Sequence, residues 1–323
     1  DDGGNPITSY QYSTDGGASW QTRTVGSTSS PLVISALSTN GTSALTNGTT
    51  YNVKIRAVNS AGAGNASLTT TATPVTVPTA PLSVVATPGN ASISLNWAVP
   101  SSNGGASITD YEIEYSTNGG ATWFSFVRGT STATSATITG LTNGTSYRFR
   151  VSAVNSEGMG VASLWTTSVA PRTVPSAPTN LTVTAGAGSL VVSWTAAATG
   201  GSAITDYVVE YSVDGTNWTT FNDGLSTATS TTITGLTNGT AYYVRVSAQN
   251  VAGASTAVVS GTTATPKTTP GAPSISAITP GNTSLSVAFT AGATGGSTIT
   301  SYQYSVDGGT TWSAASGTSS PIG

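Results

Sequence analysis

The chain has 323 residues, 37% of them hydrophobic and only 7% charged, with a net charge of −3 from 9 basic and 12 acidic side chains. It contains no His and no Cys. That excludes Ser-His-Asp and Cys-His nucleophile systems, imidazole acid–base chemistry, thiolate or imidazole metal sites, and disulfide staples. The two lysines, Lys54 and Lys267, are far apart and form no basic surface for nucleic acid. No apolar run is long enough to span a bilayer. The opening Asp1-Asp2-Gly3-Gly4 lacks the pattern of a signal peptide, so any targeting segment is expected outside these residues.

Along the chain, short strands alternate with dense turn signals. Residues 7–13 read as a strand, followed by a turn at Asp15-Gly16-Gly17. The segment 38–44 reads as a surface loop insertion ahead of Leu45-Thr-Asn-Gly-Thr, and Tyr51 follows six residues after that Leu. A Pro-rich joint spans 73–78, then Ala80-Pro81 and Trp97. Tyr111, Ile113 and Tyr115 alternate with Glu112, Glu114 and Ser116, and Tyr147, Phe149 and Val151 alternate with Arg148, Arg150 and Ser152. Such period-two patterns predict strands with one buried and one wet face. No stretch carries helical periodicity with caps.

These landmarks then repeat. Ala-Pro recurs at Ala177-Pro178 and Ala272-Pro273, the large aromatic at Trp194 and Phe289, and Leu-Thr-Asn-Gly-Thr at Leu141 and Leu236, each at 95–97 residues. Tyr147 and Tyr242 keep the place of Tyr51. A unit of one domain's length, built of short strands without helices, predicts an all-β sandwich held by a hydrophobic core. The aromatics Trp97, Trp194 and Phe289 are expected between the sheets, with Tyr51, Tyr147 and Tyr242 bonding backbone through their hydroxyls.

The pattern Pro175-Ser-Ala-Pro178, Trp194, Tyr207, and Leu236…Tyr242 leading into Tyr243-Val-Arg-Val-Ser-Ala-Gln-Asn250 resembles fibronectin type III domains of the bacterial extracellular kind. The resemblance covers the whole chain. It implies tandem immunoglobulin-like (fibronectin type III) β-sandwiches in an extended array. The expected units are 1–78, lacking N-terminal strands; 79–174; 175–269; and 270–323, lacking C-terminal strands. They are called repeats 1 to 4 below. The joints 73–78, 171–175 and 266–270 are short and Pro-rich, which predicts stiff spacers.

The outer repeats look complementary. Repeat 4 supplies strands at 274–279, 284–290 and 299–305, whereas repeat 1 starts at 7–13 and runs to the last strand. Ile299-Thr-Ser-Tyr-Gln-Tyr-Ser305 repeats Ile7–Ser13 and Trp312 answers Trp20 at an offset of 292, three domain lengths. Half a sandwich leaves a bare core face and open edges. Like domains, from neighbouring repeats or chains, are therefore expected to complete both.

Few residues suggest chemistry. Glu112 and Glu114 are expected to pair with Arg148 and Arg150 across strands, as Glu210 does with Arg245, rather than to act as glycosidase carboxylates. Asp15, Asp214 and Asp307 read as hairpin residues and not calcium ligands. The sequons at Asn40, Asn47, Asn143, Asn217 and Asn238 read as turns. Repeat 2 alone carries Trp123-Phe124-Ser125-Phe126, Met159 and Trp165, a candidate surface for a glycan or protein partner. The cell-adhesion tripeptide of some family members is missing, since Thr130 follows Arg128-Gly129.

The expectation is a non-enzyme without cofactor, metal or nucleic acid, with like domains as partners end to end. It would be a structural repeat segment of a bacterial cell-surface stalk, adhesin or extracellular fibre. The alternatives are a glycan- or protein-binding module, or accessory domains of a secreted polysaccharide-degrading enzyme.

Overall fold

Residues 2–23 and 28–322 are described in a computed structural model of the chain. The expected limits at Asp1 and Gly323 lie outside the described residues. The described residues form no helix, and the chain divides into two compact units, 1–171 and 172–323. It is an all-β protein of sandwich architecture.

In repeat 2, strands Leu82–Gly89, Ser92–Ala98 and Ser135–Thr139 make one antiparallel sheet. Asp110–Ser116 and Arg148–Asn155 pair centrally in the other, flanked by Phe124–Ser125 and Gly158–Met159. Alternation decides which side chains meet. Ile93, Leu95 and Trp97 from one sheet and Tyr111, Ile113, Phe149, Val151 and Ala153 from the other form one buried cluster. Repeat 3 does the same with Leu190, Val192 and Trp194 against Tyr207, Val209, Val244, Val246 and Ala248. In each repeat a tryptophan packs on the strand-borne tyrosine opposite, with ring centroids 5.3 Å apart for both Trp97–Tyr111 and Trp194–Tyr207.

A tyrosine corner recurs in repeats 1 to 3. The hydroxyls of Tyr51, Tyr147 and Tyr242 accept the backbone N–H of Thr46, Thr142 and Thr237 at 2.9, 3.2 and 3.2 Å. The Leu-Thr-Asn-Gly-Thr string is thus pinned at its second residue, which explains the fixed spacing to the tyrosine.

The outer repeats differ as their strand inventories dictate. Repeat 1 holds one sheet, with Ser9–Ser13 paired to Tyr51–Asn59 and short strands on either side. Repeat 4 holds the hairpin Ser274–Gly281/Ser284–Thr290, which belongs to the other sheet, plus the two-residue pair Gln303–Tyr304/Ser313–Ala314. The strand expected over 299–305 shrinks to Gln303–Tyr304 because no partner strand like Tyr243–Asn250 lies beside it among the described residues, and unpaired backbone does not hold a ladder. Phe289 is only partly covered, its ring 4.5 Å from that of Tyr302. This corrects its expected full burial: the sheet that would cover it is absent from the described residues. The segment 38–44 is also more than a surface insertion. Ser38 is buried, and its hydroxyl accepts the Thr14 N–H at 2.9 Å.

The hairpin aspartates are held by turn geometry. Asp214 accepts the N–H groups of Thr216 and Asn217 at 2.8 and 2.7 Å and the Asn217 side-chain amide at 2.6 Å. Asp307 does so from Thr311 and Asp15 from Ser19, through hydroxyl and backbone N–H. These donors hold all three carboxyls well below the usual carboxylate range, the side-chain bonds from Asn217, Thr311 and Ser19 contributing most.

Two outcomes follow from this packing. Replacing Trp194 with Ala should cost repeat 3 about 3–5 kcal/mol, a large part of a typical domain's ~5–15 kcal/mol, and leave the melting of repeat 2 unchanged. Domain-resolved denaturation measures it, and a small shift for repeat 3 would contradict the core assignment. For the aspartates the folded value lies below the unfolded one, so their stabilisation is present above an unfolded carboxylate pKa of about 3.9 and is lost as pH falls through the lower folded values. Carboxyl NMR titration of Asp214 should show a midpoint well under 3.9, and an ordinary midpoint would contradict the turn network.

Candidate functional site

The chain has no His and no Cys, and its most elaborated features are the joints between repeats and the outer faces of the sheets. The joint of repeats 1 and 2 is built by backbone. The turn N–H of Gly48 donates to Pro74 O at 2.9 Å, and the linker N–H of Thr76 donates forward to Gly104 O at 2.8 Å. The buried carboxamide of Asn155 then ties both sides. Its Nδ2 donates to Thr76 O and to Asn103 O, each at 2.8 Å, while its Oδ1 accepts the Glu157 N–H at 2.9 Å. The linker is thereby bonded to the domain before it and the domain after it.

Glycines make the approach feasible. A Cβ on Gly48 would come within 3.0 Å of the Gly105 Cα, so backbone packs directly on backbone. The second unit repeats the device. Asn250 Nδ2 donates to Thr173 O at 2.9 Å and Thr199 O at 2.8 Å, and Thr173 N–H to Gly200 O at 2.8 Å. Further along, Gly239 N–H donates to Pro266 O at 2.9 Å and Thr268 N–H to Gly295 O at 2.8 Å, with a Cβ on Gly239 reaching 3.2 Å from Gly296 Cα.

The same turns occupy the sequons. Asn143 Oδ1 accepts the Ala91 N–H and Asn238 Oδ1 accepts the Gly188 N–H, both at 2.8 Å. Asn217 is bonded to Asp214, and Asn40 to Ser43 at 2.7 Å. Asn40 and Asn217 thus bond within their own turns, whereas Asn143 and Asn238 tie their turns to a hairpin tip 52 and 50 residues earlier in the chain.

On the outer face, Arg150 makes a bidentate pair with Glu114 (2.7 and 3.1 Å) and Arg245 with Glu210 (2.6 and 2.9 Å). Its hydrogen bonds to the Glu210 carboxylate raise the Arg245 pKa above its ordinary value. The expected Glu112–Arg148 pair does not form, because the register sets Glu112 opposite Ser152 and Arg148 opposite Ser116. Sequence reasoning missed a third pair, Arg128–Asp110 at 3.2 Å, where Asp110 also accepts the Ser131 N–H.

The candidate contact residues of repeat 2 separate into groups. Trp123 lies under the Arg150 guanidinium at 4.4 Å, as Trp20 lies under Arg56 at 4.1 Å and Trp218 under Arg245 at 4.4 Å. Its place is therefore common to repeats 1 to 3, a fact the differing sequence around each Trp obscures. Trp165 stacks on Trp123 with centroids 5.9 Å apart and lies under Arg148 at 5.8 Å. It stays 52% exposed, as does Phe124, whose ring leans on Tyr115 at 5.7 Å. Phe124 is opposite Tyr115, which packs against the core, and two further expected members also stay apart from the stack. Phe126 turns inward onto the core, its N–H donating to Ile113 O, because alternation sets it on the face opposite to that of Trp123, beside buried Ile113. Met159 is 58% exposed but pairs with Val154, six residues from Arg148 along the strand, about 20 Å away at 3.3 Å per residue. The structure thus brings together Trp123, Trp165, Arg148 and Arg150. Among the described residues no group of three or more Asp or Glu side chains is placed to hold a metal ion.

A family model for the fibronectin type III domain matches residues 77–169 and 176–262, more than half of the chain. The chain is similar to exoglucanase B of Cellulomonas fimi, 31% identical over 244 residues, 69% of this chain and 21% of that protein. It is also similar to cardiac-type myosin-binding protein C of Gallus gallus, 30% identical over 169 residues, 51% of this chain and 13% of the relative. Myomesin-2 of Homo sapiens is 38% identical over 120 residues, 35% of this chain and 8% of its own length. The chain thus spans about a fifth or less of each of these relatives. Of solved structures, the crystal structure of chicken CNTN1 FN1-FN3 domains matches 80% of this chain and 90% of that one, at 19% identity and a TM-score of 0.34. With two successive domain matches over its complete sandwiches, the chain belongs to the fibronectin type III family, whose domains are generally non-catalytic modules.

Proposed function

We propose that the chain is a structural repeat segment of a bacterial cell-surface stalk, adhesin or extracellular fibre, with four domains (1–78, 79–174, 175–269 and 270–323) stacked head to tail. The observation that carries this reading is the joint. The linker between repeats 1 and 2 is bonded forward by Thr76 to Gly104 O and backward by Gly48 to Pro74 O, and that between repeats 3 and 4 by Thr268 to Gly295 O and Gly239 to Pro266 O. A joint so tied transmits orientation from one domain to the next, whereas a free linker would let domains tumble apart. The Ser/Thr-rich, weakly charged, thiol-free surface suits an exposed extracellular polymer.

The outer repeats support stacking with like domains. The apolar face of the repeat 4 hairpin is open, with Ile275 63% exposed, Ile278 53% and Leu285 48%. In repeat 3 the equivalent Leu190 and Val192 are covered by the sheet containing Tyr243–Asn250, and the matching strand in repeat 1 is Tyr51–Asn59. Electron microscopy of the native material should show filaments beaded at one-domain spacing. Compact globular particles would contradict the reading.

A second reading takes the exposed stack of Trp165 on Trp123 as a contact surface for a glycan or protein, within a binding module or the accessory domains of a secreted polysaccharide-degrading enzyme. The similarity to exoglucanase B over 69% of the chain favours the accessory form. Trp165→Ala should then weaken retention on an insoluble polysaccharide at least about tenfold without changing the melting of repeat 2. Unchanged retention would remove this reading.

A further inference from the structure

The groove at the end of repeat 1 has a counterpart that is filled in each complete repeat. In repeat 2 the hairpin end Asn155–Gly158 receives the linker Thr76-Val77-Pro78. Asn155 holds Thr76 O, and the Val77 side chain lies over Gly158, whose Cβ, if present, would sit 3.9 Å from Val77 Cγ1. In repeat 3 the hairpin end Asn250–Gly253 receives Thr173-Val174-Pro175 in the same way. Asn250 holds Thr173 O, and a Cβ on Gly253 would meet Val174 Cγ1 at 3.3 Å. Two independent linkers of the same Thr-Val-Pro sequence thus occupy one kind of socket.

Repeat 1 carries that socket in full. Asn59 pairs with Gly62 as Asn155 does with Gly158, and Gly62 shares the backbone conformation, φ +125° against +122° and +128°. Asn59 Oδ1 accepts the Ala61 N–H at 2.9 Å, matching the Asn155–Glu157 and Asn250–Ala252 bonds. Its Nδ2 donates to Asp2 O at 2.8 Å, the counterpart of the Asn155 bond to Asn103 O. A groove of about 280 Å³ runs between Asp2, Ile7, Asn59 and Gly62. A Cβ on Gly62 would meet nothing within 4 Å, and neither would one on Gly4. Gly4 is the counterpart of Gly105, the glycine that seats the preceding Asn47-Gly48 turn. Asn59, Gly62 and Gly4 thus stand where the complete repeats seat a linker and a preceding turn; Asn59 reaches Asn5 O only at 3.4 Å, as Asn250 reaches Ser202 O at 3.5 Å, and no described residue lies on Gly4 or Gly62.

We propose that the Asn59–Gly62 groove is a docking site for an extended Thr-Val-Pro linker contributed by a like domain that precedes repeat 1 in the fibre. The proposal rests on the head-to-tail reading above and specifies its contact. The carboxamide of Asn59 takes the threonine carbonyl, Gly62 seats the valine, and Gly4 receives the turn of the incoming domain.

A fluorescent peptide of residues 73–81, Thr-Pro-Val-Thr-Val-Pro-Thr-Ala-Pro, titrated into the full chain tests it by anisotropy. Because a tethered linker acts at an effective concentration on the order of millimolar, the titration extends through that range. Saturable binding is expected, with slowed amide exchange across residues 57–64. Asn59→Ala should weaken it about tenfold, the loss of one well-placed hydrogen bond. The same peptide with Val77→Asp, which involves no folding of the protein, should bind at least about tenfold more weakly. No binding through the millimolar range, or binding indifferent to both changes, would overturn the proposal. Beaded filaments without peptide binding would remove the socket and leave stacking in place, whereas peptide binding by compact particles would keep the socket and remove the stacking.

Discussion

A buried asparagine carboxamide is the constraint on which the seating of the linker segments at Thr76 and Thr173 depends. A linker has no sheet partner for its N–H and C=O groups, so they must be satisfied by whatever domain they cross. Asn155 and Asn250, both nearly fully buried, do this from the hairpin end of the receiving domain. Each uses its two amide hydrogens on two carbonyls, one in the linker and one in the adjoining loop, while its oxygen caps its own turn. A buried amide with three of its bonds made has little freedom to reorient, and the linker inherits that rigidity. Gly104, Gly105, Gly295 and Gly296 complete the fit, since any side chain there would strike the linker or the preceding turn.

The same economy governs the sheets. Complete repeats bury a tryptophan between two sheets, and the pairings of Arg150 with Glu114 and of Arg245 with Glu210 decorate the wet face without supplying the core. Exposed ion pairs of this kind contribute little each. Where one sheet is missing, burial fails at once: Leu285 and Ile278 of repeat 4 keep about half of their surface in water, though their counterparts Leu190 and Val183 of repeat 3 belong to or pack against the core. Strand pattern specifies a face, and only a partner sheet turns the face into a core.

Much of this was legible in the residues. The period of Ala-Pro, Trp and Leu…Tyr located the sandwiches, the tryptophans and the tyrosine corners, because each depends on spacing within one domain. Other features depend on register and rotamer, which spacing does not reveal. Spacing alone suggests Arg148 for Glu112, but antiparallel pairing with Arg150 opposite Glu114 sets Ser152 opposite Glu112. Phe126 was grouped with Trp123 although alternation around the short strand sent it inward. Trp20, Trp123 and Trp218 share a cation–π partner, but they sit 36, 27 and 27 residues before their arginines, so the loop insertion in repeat 1 hid the equivalence. The joints were read from proline content alone. What seats the linker segments at Thr76 and Thr173 is the hairpin-end Asn155 or Asn250, a residue that looks like ordinary turn chemistry in one dimension.

Amide hydrogen exchange on the full chain tests the tied joint most directly. The account predicts that the N–H groups of Gly48, Thr76, Thr173, Gly239 and Thr268 exchange nearly as slowly as central sheet amides such as Val151, and that Asn155→Ala accelerates exchange at Thr76 while leaving Val151 unchanged. Exchange at Thr76 and Thr268 as fast as at an open turn, in the unmodified chain, would contradict it.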